Sequence, residues 1–354
     1  MLAPVIRAEP DPILPSAADL AIGSGEAPRQ GRRRTHDGEK APQRQSFAPP
    51  APVPSWARTT GQSGERDALF SAGAALALLD AFLRRESPCR AVLRQRLALQ
   101  AAATSAKILR LRADEAALRD LRFAPAEPSP AAELLELSRD LARRPPALDG
   151  RRLARAVAFL GLSLPDPDGL AARLKEQAGN GDPVSAAADA AALAFRMFAV
   201  DLRPAEAEPF ALWLFDLVLA MRLRWERPLP LLAGKVLDPS LRPPGADRRM
   251  KPGDPGWATT AATGVALAAA SALQLGADLS RRADTLLAIA PKLRAKPASL
   301  VIEMLLAEDC VSSTQVARKA EMNDRSARRL FDRLIALGAI RELSGRDAFR
   351  VYGL

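Results

Sequence analysis

Apolar residues recur at helical spacing through most of the chain, and clusters of proline and glycine separate the apolar runs. In residues 89–123, for example, Leu93, Leu97 and Ala101 fall on one stripe. Further helices are predicted at residues 67–85, 131–144, 150–161, 167–178, 183–199, 208–225, 257–275 and 279–289. The pattern predicts an all-helical domain, of unknown function, over residues 63–290.

Residues 1–62 follow a different pattern. Ten prolines lie among the first 60 residues, and Arg32, Arg33 and Arg34 form a basic run. Such a segment cannot bury enough apolar surface to offset the entropy lost on ordering it. We therefore predict a disordered, proline-rich tail.

The pattern changes again over residues 291–354, which we predict to form a separate domain. Three short helices and two strands follow one another at residues 297–308, 312–320, 324–337, 340–343 and 348–351. Ser312 or Ser313 suits the N-cap of the second helix, Asn323 suits that of the third, and Gly338 suits the third helix's C-terminal end. This order predicts a winged helix-turn-helix with a small β-hairpin wing, at the end of an all-α protein.

The third helix of this domain carries the clearest functional signal. Ala327, Leu330, Leu334 and Leu337 share one face, and arginines occupy the other face or its edges. A major groove of DNA admits one helix, and the arginine fork can bond guanine O6 and N7 together. The predicted DNA contacts fall into two groups. Arg325, Ser326, Arg328 and Arg329 are placed at the start of the helix to reach base edges, and Arg333, Arg341, Arg346 and Arg350 are placed to meet phosphates.

The charge distribution leaves other interpretations open. The chain has a net charge of +10, but residues 297–354 hold nine Lys/Arg against eight Asp/Glu. The excess lies upstream, at residues 281–296 and 61–125. The arginines and lysine of the second predicted helix, Arg94, Arg96, Lys107, Arg110 and Arg112, form either a solvated face or an auxiliary phosphate-binding surface. The third helix itself is either a DNA-reading helix or part of a protein-docking module.

Candidate chemistry is sparse elsewhere. The two cysteines, Cys89 and Cys310, lie far apart, and His36 is the single histidine, so no zinc, redox or histidine-dependent site is predicted. No glycine-rich phosphate loop occurs. Asp216 lies within an apolar helix, where a structural ion pair or backbone cap is favoured over a catalytic role. We therefore expect no enzyme activity, no catalytic residue, no metal and no cofactor.

Two observations bear on the cellular location. Residues 256–277 carry no formal charge, but they are mostly Ala, Thr and Gly, which predicts a buried helix and no membrane span. The N-terminus lacks a charged region followed by an apolar core, so no secretory signal is expected. These features predict a cytoplasmic protein.

Three segments resemble a known family: FSAGAALALLDAFLRR, LWLFDLVLAMRLRWERPLPLLAGKVLDPSLR and ARRLFDRLIALGAIRELSGRDAFRVYGL. Over residues 65–354 the chain resembles an alphaproteobacterial, often plasmid-borne family of unknown function with a C-terminal winged helix-turn-helix. The resemblance implies no established activity and no site residue.

Together these features predict a DNA-binding protein, either a transcriptional regulator or a maintenance factor of plasmids or mobile elements. Double-stranded DNA is its expected partner. A homodimer is expected, because one small module gives modest affinity. The alternatives are an interaction protein that docks through the winged helix and, third, an enzyme in the helical domain.

Overall fold

The computed structural model describes residues 48–59, 64–123, 129–179, 181–198, 204–243, 245–293, 297–344 and 350–354. One compact unit spans Ser46–Leu354. Most of the predicted tail, 1–62, lies outside the described residues. Residues 48–59 of this segment are described. Val53 and Ala57 are buried there, around a single 3₁₀ turn at Ser55–Ala57.

The described part of the chain upstream of residue 290 is helical. Its α-helices are α1 (Glu65–Arg84), α2 (Arg90–Ile108), α3 (Glu115–Leu121), α4 (Pro130–Arg143), α5 (Gly150–Ala158), α6 (Pro167–Ala178), α7 (Pro183–Phe198), α8 (Pro204–Arg222), α9 (Leu232–Lys235) and α10 (Trp257–Ile289). Short 3₁₀ turns lie at Pro239–Leu241 and Ala290–Lys292. The multi-helix prediction is confirmed.

The predicted helical run over residues 89–123 is two helices. Arg110 adopts a left-handed conformation (φ +56°) after α2, and the Leu111 amide donates to Ala106 O at 2.8 Å. Asp114 then caps α3 by accepting from the Ala117 amide at 2.8 Å. The apolar stripe runs past this break, because α2 and α3 both bury leucines in the same region.

The opposite error occurs at α10, where two helices were predicted and one forms. The predicted gap fell at residues 276–278, but these residues lie inside a 33-residue helix, Gly276 among them. A Cβ there would lie 2.9 Å from a ring carbon of Phe82 on α1. The glycine permits the close packing of α1 on α10 and does not end the helix.

α10 is also long and apolar enough to cross a membrane. It is the one such helix in the described ranges, and 61% of its most apolar window is buried inside the fold. α10 packs against α1, α7 and α9.

α8 forms the centre of the helical body, with every side chain from residue 207 to 220 buried. Asp216 is fully buried, and its two carboxylate oxygens accept the amides of Leu232 (3.0 Å) and Ala233 (3.2 Å) at the start of α9. Burial raises the pKa of Asp216 to about 7, against the lowering effect of these amides. The prediction of a buried carboxylate capped by backbone donors is confirmed.

The C-terminal elements are α11 (Ala298–Ala307), β1 (Val311–Ser312), α12 (Ser313–Lys319), α13 (Asp324–Ala336), β2 (Arg341–Glu342) and β3 (Val351–Gly353). The strands form an antiparallel sheet in the order β1-β3-β2, with Val311 opposite Tyr352 and Arg341 opposite Gly353. β1 was not predicted. Buried residues of these elements and of the helical body form one continuous core, so no break in packing marks residue 290.

Candidate nucleic-acid interface

Local hydrogen bonds fix the ends of α12 and α13. Ser312 Oγ accepts the Gln315 amide at 3.1 Å, and Asn323 Oδ1 accepts the Ser326 amide at 2.7 Å. Gly338 has a φ of +68° just after α13. The predicted caps are therefore confirmed, with Ser312 the residue that caps α12.

The turn between α12 and α13 contains a residue under backbone strain. Glu321 adopts a φ of +50°, and the next amide, of Met322, donates to Ala317 O at 3.0 Å. Glycine is the usual residue in this left-handed position, because an L side chain meets its own backbone there. The turn keeps this geometry with a glutamate.

The buried face of α13 differs in part from the predicted stripe. Ala327, Phe331 and Leu334 are fully buried, and the Phe331 ring stacks on Tyr352 of β3 with centroids 4.3 Å apart. Leu330 is half-buried, whereas Leu337 is 41% exposed, so its assignment to the buried stripe was wrong. The helix turns its Phe331 side to the sheet, and Leu337 lies just beyond the end of that contact.

The opposite face of α13 carries the predicted arginines. Arg325, Arg328, Arg329 and Arg333 are all exposed, and Ser326 is half-buried. Residues three and four apart on a helix are neighbours, so these side chains form a basic surface along the first three turns. We call these four arginines the α13 arginine face.

Two of the three arginines placed on or beside the predicted wing are described and exposed. Arg341 is exposed on β2, where partial burial and the charges of Arg282, Arg96 and Arg119 lower its pKa. Arg350 is also exposed, and its Nε lies 3.8 Å from Glu342 Oε2. Arg346 and the predicted turn lie outside the described residues.

A buried junction joins the end of α11 to the helical body. Asp309 is buried; it accepts from Arg119 Nε at 2.7 Å and pairs with the Nε of Arg96. Burial opposes its ionisation, but the two guanidiniums outweigh this effect and lower the pKa of Asp309. Asp309 therefore stays charged and links α2 and α3 to the C-terminal elements.

The neighbouring Glu308 extends this junction to α4. Its Oε2 lies 2.8 Å from Arg122 Nη2, 3.1 Å from Arg139 Nη2 and 3.5 Å from Arg143 Nη2. Burial, together with the charges of Arg122 and Arg143, lowers the pKa of Arg139 to about 10. We call Asp309, Glu308 and their arginine partners the α11 junction.

This junction was missed by reasoning from the sequence. Arg96 was assigned to a solvated or phosphate-binding surface, and both assignments were wrong because its side chain is 6% exposed and paired with Asp309. Helical spacing places Arg96 near the edge of the apolar stripe of α2, but it does not identify a carboxylate more than 200 residues away. The adjacent acids Glu308 and Asp309, between an apolar helix and a strand, were the available signal.

The described residues also bear on metal chemistry. Within the described ranges, no three His, Cys, Asp or Glu side chains lie close enough together to hold a metal ion. Both cysteines are buried and unpaired, and burial raises the pKa of Cys310 to about 12. Neither thiol has the environment of a reactive nucleophile.

The family assignment follows from a match over most of the chain. The model of a family described as protein of unknown function (DUF1403) matches residues 42–354. The chain therefore belongs to this family, in agreement with the expected family of unknown function. A search of curated proteins found no match.

Proposed function

We propose that this protein binds double-stranded DNA, with α13 as the reading helix of a winged helix-turn-helix. The observation that carries the proposal is the α13 arginine face, which is exposed on a helix whose other face is anchored by Phe331 and Leu334. Such anchoring fixes the direction in which the arginines project. A fixed helix that presents arginines is what recognition of base edges in the major groove requires.

The topology supports the same proposal. The element order helix, strand, helix, helix, strand, strand, with β3 between β1 and β2, is that of winged helices. The left-handed turn at Glu321 lies between α12 and α13, where a helix-turn-helix has the short turn between its two helices. The biological role that fits such a protein is transcriptional regulation or maintenance of a plasmid or mobile element.

The α11 junction gives the proposed reader a fixed base. A reading helix transmits a signal from the helical body only if the two parts are mechanically connected. Glu308 and Asp309 lie between α11 and β1. They form five ion pairs with guanidiniums: those of Arg96 on α2, Arg119 on α3, Arg122 just after α3, and Arg139 and Arg143 on α4. In this proposal the helical body sets the position of α13, either by dimerising or by binding an effector.

The test is salt-dependent retention of the full chain on random duplex DNA. Affinity should fall with salt by a slope of about 0.9 per phosphate neutralised. Replacing Arg328 and Arg329 together with alanine should reduce that slope by up to about 1.8 and cost about 1–3 kcal/mol for each arginine that reads a base. The matched control replaces Arg151 on α5 and Arg173 on α6 with alanine. Both arginines are exposed, and the control variant has the same net charge as the α13 variant.

If retention falls equally in the control and in the α13 variant (Arg328 and Arg329 to alanine), only net charge matters. If retention in the α13 variant is unchanged from the wild type, the helix does not touch DNA. Either result removes the proposal. Preference among duplexes that is lost in the α13 variant alone supports it.

A second candidate function rests on a different observation. Ile335 and Leu337, at the C-terminal end of α13, are 38% and 41% exposed, among the most exposed large apolar side chains described. Exposed apolar residues near one another are typical of a protein-docking surface. If Ile335→Ser abolishes capture of a protein partner while DNA retention is absent in the wild type, the docking function takes precedence.

A further inference from the structure

A cleft rich in arginine opens in the helical body, away from the elements of the proposed DNA reader. Its volume is about 410 Å³, within the range of about 300–1,000 Å³ typical of small-molecule sites. It lies between the end of α1, the start of α2 and the segment that follows α8. The charged residues that line it are Arg84, Arg90, Arg94, Arg224, Glu226 and Arg227.

Three of these arginines have a structural role. Arg84 Nη2 donates to Leu223 O at 3.3 Å and pairs with Asp80, and Arg90 Nη1 donates to Leu83 O at 3.0 Å. Arg227 donates to Arg143 O and lies 3.7 Å from Glu226. These bonds satisfy backbone carbonyls near helix ends, so the fold itself accounts for these three side chains.

The remaining two have no such role. Arg94 forms no side-chain hydrogen bond or ion pair among the described residues, although its Nε is sealed from solvent. Burial and the charges of Arg90 and Arg227 lower its pKa, so its environment disfavours the cation. Arg224 is exposed and holds a left-handed φ of +54°, a conformation in which glycine or asparagine is less strained.

The cleft continues into an apolar neighbour. A second cavity of about 530 Å³ shares Arg84 and Arg224 with the first. Its apolar lining comes from α1, α7 and the end of α8, and includes Leu69, Leu76, Ala77, Val184 and Leu223. The charged residues that also line it already have partners within the fold: Asp80 pairs with Arg84, Asp182 accepts two backbone amides, and Arg222 donates to backbone carbonyls. A ligand at Arg224 would therefore have the arginines of the cleft on one side and the apolar residues of α1 and α7 on the other.

We propose that this paired cavity binds a small organic phosphate, with the phosphate between Arg94 and Arg224 and the apolar part against α1 and α7. Five guanidiniums and one carboxylate line the cleft, and Asp80 of the neighbouring cavity pairs with one of the five, Arg84. The excess is still three positive charges, so a single carboxylate ligand would leave most of it uncompensated. A phosphate carries a charge of about −1.5 to −2 and has three acceptor oxygens that match the guanidinium fork. The site is independent of the proposed DNA contacts.

The experiment is titration calorimetry of the full chain with hexyl phosphate, inorganic phosphate and hexanoate as separate probes. Hexyl phosphate should bind most tightly, because it alone supplies both the phosphate and the apolar group. Arg94→Gln and Arg224→Gln should each weaken its binding by about tenfold to a hundredfold, the factor that corresponds to one charge-assisted hydrogen bond. Arg173→Gln, an exposed arginine on α6, is the matched control and should bind as the wild type does.

Arg224 is exposed and its side chain anchors no other element in the described ranges, so its variant should fold even if Arg94→Gln does not. A further variant, Arg328→Gln with Arg329→Gln, should retain hexyl phosphate binding, which separates this site from the α13 arginine face. The proposal is overturned if the wild type does not bind hexyl phosphate at millimolar concentration, or if hexanoate binds equally well. It is also overturned if Arg224→Gln binds like the control.

Discussion

The α11 junction makes a quantitative prediction for Asp309→Asn. The Asp309 side chain is 8% exposed, and those of its partners Arg96 and Arg119 are 6% and 11% exposed. Removing one charge from a buried pair leaves the other without compensation, which typically costs about 3–5 kcal/mol. Two guanidiniums lose this charge partner; Arg96 is left unpaired, and Arg119 keeps only a contact of 3.4 Å with Glu115. We therefore expect a loss of about 3 kcal/mol or more at pH 7.

The pH dependence of this loss follows from the direction of the pKa shift. The pKa of Asp309 is lower in the folded chain than in the unfolded chain. The charged carboxylate therefore contributes stability that is fully present above the unfolded value of about 4 and disappears as the pH falls through the folded value. The stability difference between wild type and Asp309→Asn should shrink steadily below about pH 4.

The assay is urea unfolding of both full-length proteins, followed by circular dichroism at several pH values. Asp278→Asn is the control, because Asp278 and its partner Arg281 are 53% and 65% exposed. An exposed pair contributes less than about 1 kcal/mol. If Asp309→Asn loses no more stability than Asp278→Asn at pH 7, or if its deficit does not depend on pH, the junction does not hold the C-terminal elements to the helical body.

Three other changes test the core and the turn. Asp216→Ala should cost about 2–4 kcal/mol at pH 5, since two buried amides at the start of α9 lose their acceptor. The pKa of Asp216 in the folded chain, about 7, exceeds its value in the unfolded chain. The stability advantage of the wild type over this variant should therefore decrease as the pH rises from about 4 to 7. A stability advantage that grows over that range contradicts the raised pKa. In denaturant unfolding, Phe331→Ala should cost about 3–5 kcal/mol of stability and Leu337→Ala much less, because Phe331 is buried and Leu337 is exposed. Equal losses in the two variants would refute the observed orientation of α13. Glu321→Gly should raise stability by up to about 1 kcal/mol by relieving the left-handed strain, whereas Glu321→Val should lower it; a destabilised glycine variant would show that the Glu321 side chain itself stabilises the turn.

The glycines of the chain show how far local reasoning reaches. Gly338 was predicted to follow a helix, and it does so with a positive φ. Residues 276–278 were predicted to separate two helices, but Gly276 lies inside α10, where the helix packs on the ring of Phe82. The first role depends on the backbone of one residue and its neighbours, whereas the second depends on a side chain almost 200 residues away.

The sequence by itself determined the helical class and the boundaries of α12 and α13. Ser312 and Asn323 cap the amides three residues ahead of them, so nearby residues decide the outcome. The exposure of the α13 arginine face was also predictable, because a helix with one apolar face must turn its charged face to solvent.

Only the tertiary structure decided which charges are buried together. Arg94 and Arg96 lie two residues apart on α2, yet Arg96 joins the α11 junction and Arg94 faces the arginine-rich cleft. Their sequence neighbourhoods are nearly alike, and neither distant environment is encoded by local spacing. The buried charge of Arg96 is compensated by Asp309, which another part of the chain supplies, and that pairing exists only after the helices have packed.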